Sequence, residues 1–182
     1  MANNRLHNSE GHNMSLAMPI KKSSGALPWT RSCFVCGEAN PRGLKARSRL
    51  EDGRVLLDYT TRPEDAGYRH IVHGGLAITL LDEVMTWAAI IATKKVCVAA
   101  ELISRLKAPI QVGQPVRVEG WITRASSRLC LTESHMLDAQ GRELVTATGK
   151  YLPMPADQIH LTEKDFVAAP GTLSARDLLG GA

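Results

Sequence analysis

The residues from Ile71 to Ala92 join a glycine-containing turn to the longest apolar segment of this 182-residue chain. From Leu76 onward nearly every residue is apolar, so a helix here must be enclosed by the rest of the protein rather than lie on its surface. Any fold for this chain must therefore wrap one long helix. At about 100° per residue, its few polar side chains form a stripe roughly 100° wide. They are Thr79, Asp82, Glu83 and Thr86.

This stripe has two interpretations: a solvent-facing edge of an amphipathic helix, or part of an active site. The turn His73-Gly74-Gly75 at the predicted helix start favours an active site. Glycines let a ligand approach the backbone closely, and the free N–H groups of a first helical turn carry partial positive charge. An oxygen that develops negative charge would be stabilised there. A carboxylate two turns further along the helix would then act on the same bound group.

The order of these residues resembles a known family. His-Gly-Gly, six residues, and then an acid within Leu80-Leu81-Asp82-Glu83 is similar to the hotdog-fold acyl-CoA thioesterases of the 4-hydroxybenzoyl-CoA thioesterase and PaaI type. The likeness runs from about Cys33 to Met154. It implies an α+β hotdog fold, in which a curved antiparallel sheet wraps a long central helix. It also implies hydrolysis of an acyl-CoA thioester to free acid and CoA.

The resemblance assigns roles to the residues of the motif. The Gly74 N–H, with Gly75 beside it, polarises the thioester carbonyl, and Asp82 is the catalytic carboxylate. Asp82 acts either as a general base or as a nucleophile, and the sequence does not separate these roles. The resemblance places Thr86 where a hydroxyl holds the attacking water in some relatives. Thioester hydrolysis by such a site needs no metal and no cofactor.

Two further residues near Asp82 have alternative roles. Glu83 competes for the role of the acid, but it lies about 100° around the helix from Asp82 and would not face the same thioester. Asp82 is preferred because its spacing from Gly74 matches the family. His73 either bonds the turn structurally or takes a direct part in catalysis.

The binding residues are less clearly marked. Relatives often carry Asn or Gln seven residues before the first glycine, where this chain has Gly67. This departure leaves His70 or Arg69 as substitutes for carbonyl binding. Arg124 and Arg128 bracket a predicted hairpin turn, where relatives often meet the phosphates of coenzyme A. Arginines beside a hairpin turn are otherwise solvated.

Composition limits the partners. The net charge of +4 suits an acidic ligand such as acyl-CoA, but no basic cluster predicts nucleic-acid binding. No apolar segment of about 18 residues free of charge predicts a membrane span, because Asp82 and Glu83 interrupt the helix. The N-terminus lacks the apolar core of a secretory signal, and the four cysteines are scattered, which predicts a cytoplasmic protein with reduced thiols.

The pair Cys33-Phe-Val-Cys36-Gly37 has the spacing with which zinc sites begin. No second Cys-x-x-Cys and no His pair follows at a suitable distance, so the sequence predicts no metal and no essential disulfide. A related Cys-x-x-Cys-Gly followed by Asn-Pro-x-Gly-Leu occurs in some hotdog thioesterases, and we interpret it as a turn leading into the domain.

The domain division follows from the pattern along the chain. Residues 1–30 are predicted to be an irregular N-terminal extension, residues 31–154 the hotdog domain, and residues 155–182 a tail. Within the tail, Thr162 and Asp165 are candidate caps for a short helix from Glu163 to Ala168. The predicted strands are Leu44 to Leu50, Val55 to Thr60, Val96 to Lys107, Val116 to Arg124, Arg128 to Leu137 and Leu144 to Leu152.

A lone hotdog leaves its helix and one sheet edge poorly covered, so we expect a homodimer or a dimer of dimers. Three other functions remain open from the sequence. They are a non-catalytic acyl-CoA-binding hotdog protein, a hotdog hydratase or dehydratase, and a zinc-binding interaction module built on Cys33 and Cys36.

Overall fold

The computed structural model of the chain describes residues 24–155, 161, 163–167 and 169–180. The strands are β1 Gly25–Ala26, β2 Trp29–Thr30, β3 Ser48–Glu51, β4 Arg54–Thr60, β5 Ala66–Tyr68, β6 Ile71–Val72, β7 Cys97–Leu106, β8 Pro115–Ala125, β9 Cys130–Asp138, β10 Glu143–Pro153 and β11 Phe166–Val167. The helices are α1 Gly74–Thr93 and α2 Ala175–Leu178, and single 3-10 turns occupy Pro63–Asp65 and Glu163–Asp165.

Seven strands of the described part of the chain form one antiparallel sheet in the order β1-β3-β4-β8-β9-β10-β7. The long strands β8, β9 and β10 form a meander, because short turns with Gly or Ser let each strand return beside the previous one. Strand β7 pairs with β10 and ends the sheet. The two pairs β2–β11 and β5–β6 lie outside it. This is the α+β hotdog fold that the sequence predicts.

Helix α1 packs against one face of this sheet, and its apolar residues form a large part of the core. Leu80, Leu81, Val84 and Met85 are fully buried. The helix ends at Lys94, whose left-handed backbone (φ 59°) lets its N–H bond to the Ile90 carbonyl. Among the described residues, α1 is the helix long and apolar enough to cross a membrane, but its place inside the sheet identifies it as a core helix.

The N-terminal prediction is wrong for its last residues. Residues 25–30, expected to be irregular, contribute β1, which pairs with β3, and β2, which pairs with β11. Two-residue strands leave no periodicity in a sequence, because partners far along the chain decide their pairing. Residues 1–23 lie outside the described part of the chain.

The tail also differs from its prediction. Glu163–Asp165 form a single 3-10 turn, and the next two residues then enter β11. The Phe166 ring packs 5.7 Å from the Trp87 ring of α1, so a contact with the core replaces the expected helix. Thr162 and Ala168 lie outside the described residues. The short helix of the tail is α2, whose cap is the Ser174 hydroxyl.

Candidate active site

The start of α1 leaves one backbone N–H for a ligand. His73 is the N-cap, and its Nδ1 accepts a 2.9 Å hydrogen bond from the Gly75 N–H. The Leu76 N–H donates to the His73 carbonyl at 2.9 Å. Within the described part of the chain, no hydrogen bond involves the Gly74 N–H. His73 therefore has the structural role of a cap, and Gly74 holds the donor that faces outward from the helix start.

The space beside Gly74 is apolar and tight. A Cβ at Gly74 would lie 2.6 Å from Leu106 Cδ2, a side chain that is itself 53% exposed. A cleft of about 250 Å³ begins here, and Ile71, Pro109 and Ile110 form parts of its wall. A small apolar group would therefore find a cleft beside the free N–H.

The loop before α1 is held by a buried carboxylate. Asp65 Oδ2 accepts hydrogen bonds from the Tyr59 hydroxyl at 2.6 Å and from the Arg62 N–H at 2.8 Å. Burial, and then the adjacent Asp65, raise the pKa of Tyr59. The Asp65 carbonyl accepts the His73 N–H at 2.9 Å, so this network fixes the position of the cap. Sequence reasoning missed Asp65, because an acid in a polar loop carries no signal of burial.

The same loop explains why Gly67 stands where relatives often carry Asn or Gln. A Cβ at Gly67 would lie 2.9 Å from the His73 Cα, so a larger side chain requires the backbone to shift. His70 is exposed in a left-handed conformation (φ 64°), and its carbonyl accepts the Val112 N–H. Arg69 is also exposed. Neither side chain makes a described contact with the Gly74 region.

Asp82 is anchored from the sheet. The Tyr151 hydroxyl donates to Asp82 Oδ1 at 2.6 Å, and the Thr86 hydroxyl lies 3.5 Å from the same oxygen. Tyr151 is fully buried, and burial followed by the Asp82 charge raises its pKa. A Cβ at Gly149 would lie 2.5 Å from the Tyr151 ring, so this glycine leaves the room that the ring occupies. Sequence reasoning missed Tyr151, although it lies on the buried side of β10, where apolar residues alternate.

Glu83 has different partners from its neighbour. The Trp87 Nε1 donates to Glu83 Oε1 at 3.2 Å, and Cys33 Sγ lies 4.0 Å from Oε2. Burial, and then the charge of Cys33, raise the pKa of Glu83 to about 7. All four side chains of the polar stripe are half-buried, so the stripe is not a solvated edge. The two acids thus face different neighbours, as their angular separation predicts.

The remaining candidate residues lie elsewhere. Asp82 comes eight positions after Gly74 (82 − 74), which is about 12 Å along a helix axis at a rise of about 1.5 Å per residue. Arg124 and Arg128 are exposed at the β8–β9 turn, next to Cys130. That is the end of the sheet where β7 begins, whereas Gly74 lies beside Leu106, where β7 ends. One chain therefore does not bring the arginines to the Gly74 N–H.

A helix enclosed by an antiparallel sheet, with a glycine turn at its start, defines a hotdog domain. Residues 70–145 match the family model of the thioesterase superfamily, so this part of the chain is similar to that superfamily. Comparison with curated proteins found no match.

Solved structures share the fold. A thioesterase superfamily protein is 25% identical, with a TM-score of 0.60 over 67% of this chain and 60% of that one. The PaaI protein of the phenylacetic acid degradation operon of Escherichia coli is 15% identical, with a TM-score of 0.59 over 65% of this chain and 86% of that one. Protein smu.793 from Streptococcus mutans, bound to acetyl CoA, is 17% identical, with a TM-score of 0.54 over 58% of this chain and 84% of that one.

Proposed function

We propose that this protein hydrolyses an acyl-CoA thioester to the free acid and CoA, with the Gly74 N–H and Asp82 as the reacting groups of the site. The observation that carries the proposal is the Gly74 N–H, which has no hydrogen-bond partner among the described residues and lies at the start of a helix whose polar stripe holds an oriented carboxylate. The match of residues 70–145 to the thioesterase superfamily supports the same reaction class. The acetyl CoA in the S. mutans structure supports acyl-CoA as the ligand class.

In this mechanism the Gly74 N–H donates to the thioester oxygen, and the partial charge of the helix start stabilises the oxyanion as it forms. Asp82 either removes a proton from the attacking water or attacks the carbonyl itself. The intermediate then expels the CoA thiolate, which leaves readily because a thiol has a pKa of about 8.5. If Asp82 attacks, water hydrolyses the resulting anhydride and restores the carboxylate. Thr86, near Asp82 Oδ1, is placed to hold the water.

The distance along α1 supports a site that two copies of the chain share. A carboxylate about 12 Å along the helix is too far for direct attack on a carbonyl bonded to Gly74 of the same chain. Strand β7 ends the sheet and carries Ile103, which is 62% exposed. A twofold axis that pairs β7 with its copy also sets the two α1 helices antiparallel. Asp82 of one copy would then face Gly74 of the other.

The same dimer accounts for the position of the arginines. Arg124 and Arg128 lie at the end of the sheet remote from Gly74 of their own chain. A twofold partner reverses the strand direction and brings its arginines toward that glycine, where they would bind the CoA phosphates. We propose a cytoplasmic location, since all four cysteines are free thiols.

The test is thiol release from acyl-CoAs of increasing chain length. Gly74→Pro removes the N–H but suits the first helical position, and His73 already has the extended backbone (ψ 126°) that precedes proline. We expect a loss in kcat of about 10²-fold or more. Gly74→Ala keeps the N–H and is the matched control, because the flexible end of Leu106 can move away from the new methyl group. Equal activity of the two variants, or no turnover by the parent with any acyl-CoA, would refute the proposal.

A mixing experiment tests the shared site. Gly74→Pro and Asp82→Asn chains should each be inactive alone, but a mixed dimer contains one intact site if the two groups come from different copies. Random mixing should then restore about a quarter of the parental activity. If both groups act within one chain, no mixed site is intact and activity stays absent.

A further inference from the structure

The turn at Cys33 directs two thiols toward one point. Cys33 Sγ accepts hydrogen bonds from the Val35 N–H at 3.2 Å and from the Cys36 N–H at 3.4 Å, and the Gly37 N–H donates to the Cys33 carbonyl at 3.0 Å. A Cβ at Gly37 would lie 2.5 Å from that carbonyl, so only glycine fits. Backbone N–H groups directed at a sulfur stabilise negative charge on it, as a metal-binding thiolate requires.

A carboxylate from α1 completes a group of three candidate ligands. Ligand atoms of Cys33, Cys36 and Glu83 all lie within 4.8 Å of one another, and Cys33 Sγ is 4.0 Å from Glu83 Oε2. With Zn–S near 2.3 Å and Zn–O near 2.0 Å, a tetrahedral ion would set S···O at about 3.5 Å and S···S at about 3.8 Å. The distances between the three ligand atoms would therefore need to shorten by about one ångström or less.

We propose that Cys33, Cys36 and Glu83 bind a zinc ion, with a water as the fourth ligand. Two thiolates and a carboxylate carry three negative charges, and thiolates select zinc over magnesium or calcium. The ion would connect the cysteine turn to α1 directly beside Asp82. Glu83 would then be a metal ligand rather than a second acid for the reaction. The sequence did not predict this site, because its third ligand comes 47 residues after Cys36 (83 − 36).

The second thiol pair of the chain provides a contrast. Cys97 and Cys130 are buried next to each other, and the Thr93 hydroxyl lies 3.4 Å from Cys97 Sγ. Within the described residues, no carboxylate or imidazole joins them in a group of three ligands. Two neighbouring thiols therefore do not by themselves form a group of three candidate metal ligands. Cys130→Ser is a matched control for the cysteine substitution at the proposed site.

The experiment measures metal content and thiol environment in the full chain. Protein purified without chelator and dialysed against zinc should contain about one zinc per chain by elemental analysis. Cobalt(II) loaded in its place should give thiolate-to-metal charge-transfer absorption. Cys33→Ser should abolish both signals, and Cys130→Ser should keep them. Glu83→Gln should weaken zinc binding by more than the roughly 10- to 100-fold effect of losing an outer partner.

The proposal would be overturned by a zinc-free parent after zinc dialysis, by zinc retained at parental affinity in folded Glu83→Gln, or by equal loss of zinc in Cys130→Ser. Glu83→Gln is the deciding variant if Cys33→Ser fails to fold, because its side chain keeps the shape of the original. A thiol titration that finds Cys33 and Cys36 oxidised to a disulfide in protein prepared without oxygen would likewise exclude the metal.

Discussion

The Tyr151 hydroxyl donates a 2.6 Å hydrogen bond to Asp82 Oδ1 and so joins the last long strand of the sheet to the polar stripe of the central helix. The two residues are 69 positions apart in the chain. The buried phenol holds one carboxylate oxygen in a fixed direction, and the proposed reaction would use the other oxygen. In the proposed mechanism, Tyr151 is thus a positioning residue for Asp82.

Tyr151→Phe should lower kcat by about 10- to 100-fold with little change in KM, because a hydrogen bond to a charged group contributes about 1.5–3 kcal/mol. The phenyl ring still fills the space above Gly149. Steady-state kinetics over a range of pH checks this, since a change in the pH profile of kcat distinguishes positioning from a general loss of stability. Tyr59→Phe removes the similar bond to Asp65 and should lower the melting temperature without moving that profile. A parental kcat and pH profile in Tyr151→Phe would contradict the positioning role.

Asp82→Asn should reduce kcat by about 10²-fold or more, because the amide keeps the size of the side chain but supplies neither base nor nucleophile. Glu83→Gln should be much milder, since Glu83 faces Trp87 and Cys33 instead of the Asp82 partners. The measurement is kcat for both variants with the best acyl-CoA of the chain-length series. A dead Glu83→Gln beside an active Asp82→Asn would reverse the assignment of the two acids.

Ile103→Glu should disrupt the proposed dimer. Ile103 lies on the edge strand β7, and a twofold axis through that edge would bring two new carboxylates close together. We expect dimer affinity to fall at least about tenfold, measured by sedimentation across micromolar concentrations. The control is Leu129→Glu, which places the same charge on an exposed leucine at the β8–β9 turn. A parent that is monomeric at these concentrations would remove the basis for the shared site.

Acid should weaken the sheet through Asp58, which lies between Arg49 of β3 and Arg117 of β8, each 2.7 Å away. Burial acts against ionisation, but hydrogen bonds from Arg117 and Arg49 outweigh it and lower the pKa of Asp58. Because the pKa of Asp58 is lower in the folded than in the unfolded protein, its ionised carboxylate stabilises the fold at pH values above the ordinary pKa of about 3.9. This stabilisation is lost as the pH falls through the pKa of the folded state.

Asp58→Asn should therefore destabilise the protein near neutral pH by up to about 1 kcal/mol for each exposed pair, and the difference should shrink in acid. Urea unfolding of parent and variant at several pH values measures this. Glu133→Gln is the control, since no ion pair of Glu133 is present in the described part of the chain. A constant difference between parent and Asp58→Asn at all pH values would show that the charge is not responsible.

The sequence alone determined the central helix, the long strands and the residues of the glycine turn. A helix that is apolar on nearly all sides can only be stable when enclosed, and a long alternating strand such as β8 leaves a clear period of two. These signals are local, so they can be read from neighbouring residues. The spacing of Gly74 and Asp82 also follows from helix geometry, as does the separation of Asp82 from Glu83.

Only the tertiary structure decided the environment of those residues. It placed Tyr151 on Asp82, the buried Asp65 behind His73, and Glu83 beside the cysteine turn. It also paired the two-residue strands β1, β2 and β11, which the sequence did not predict. Each of these contacts joins residues that no periodic pattern relates. They form because enclosing α1 brings distant segments against it, where buried polar groups must find partners.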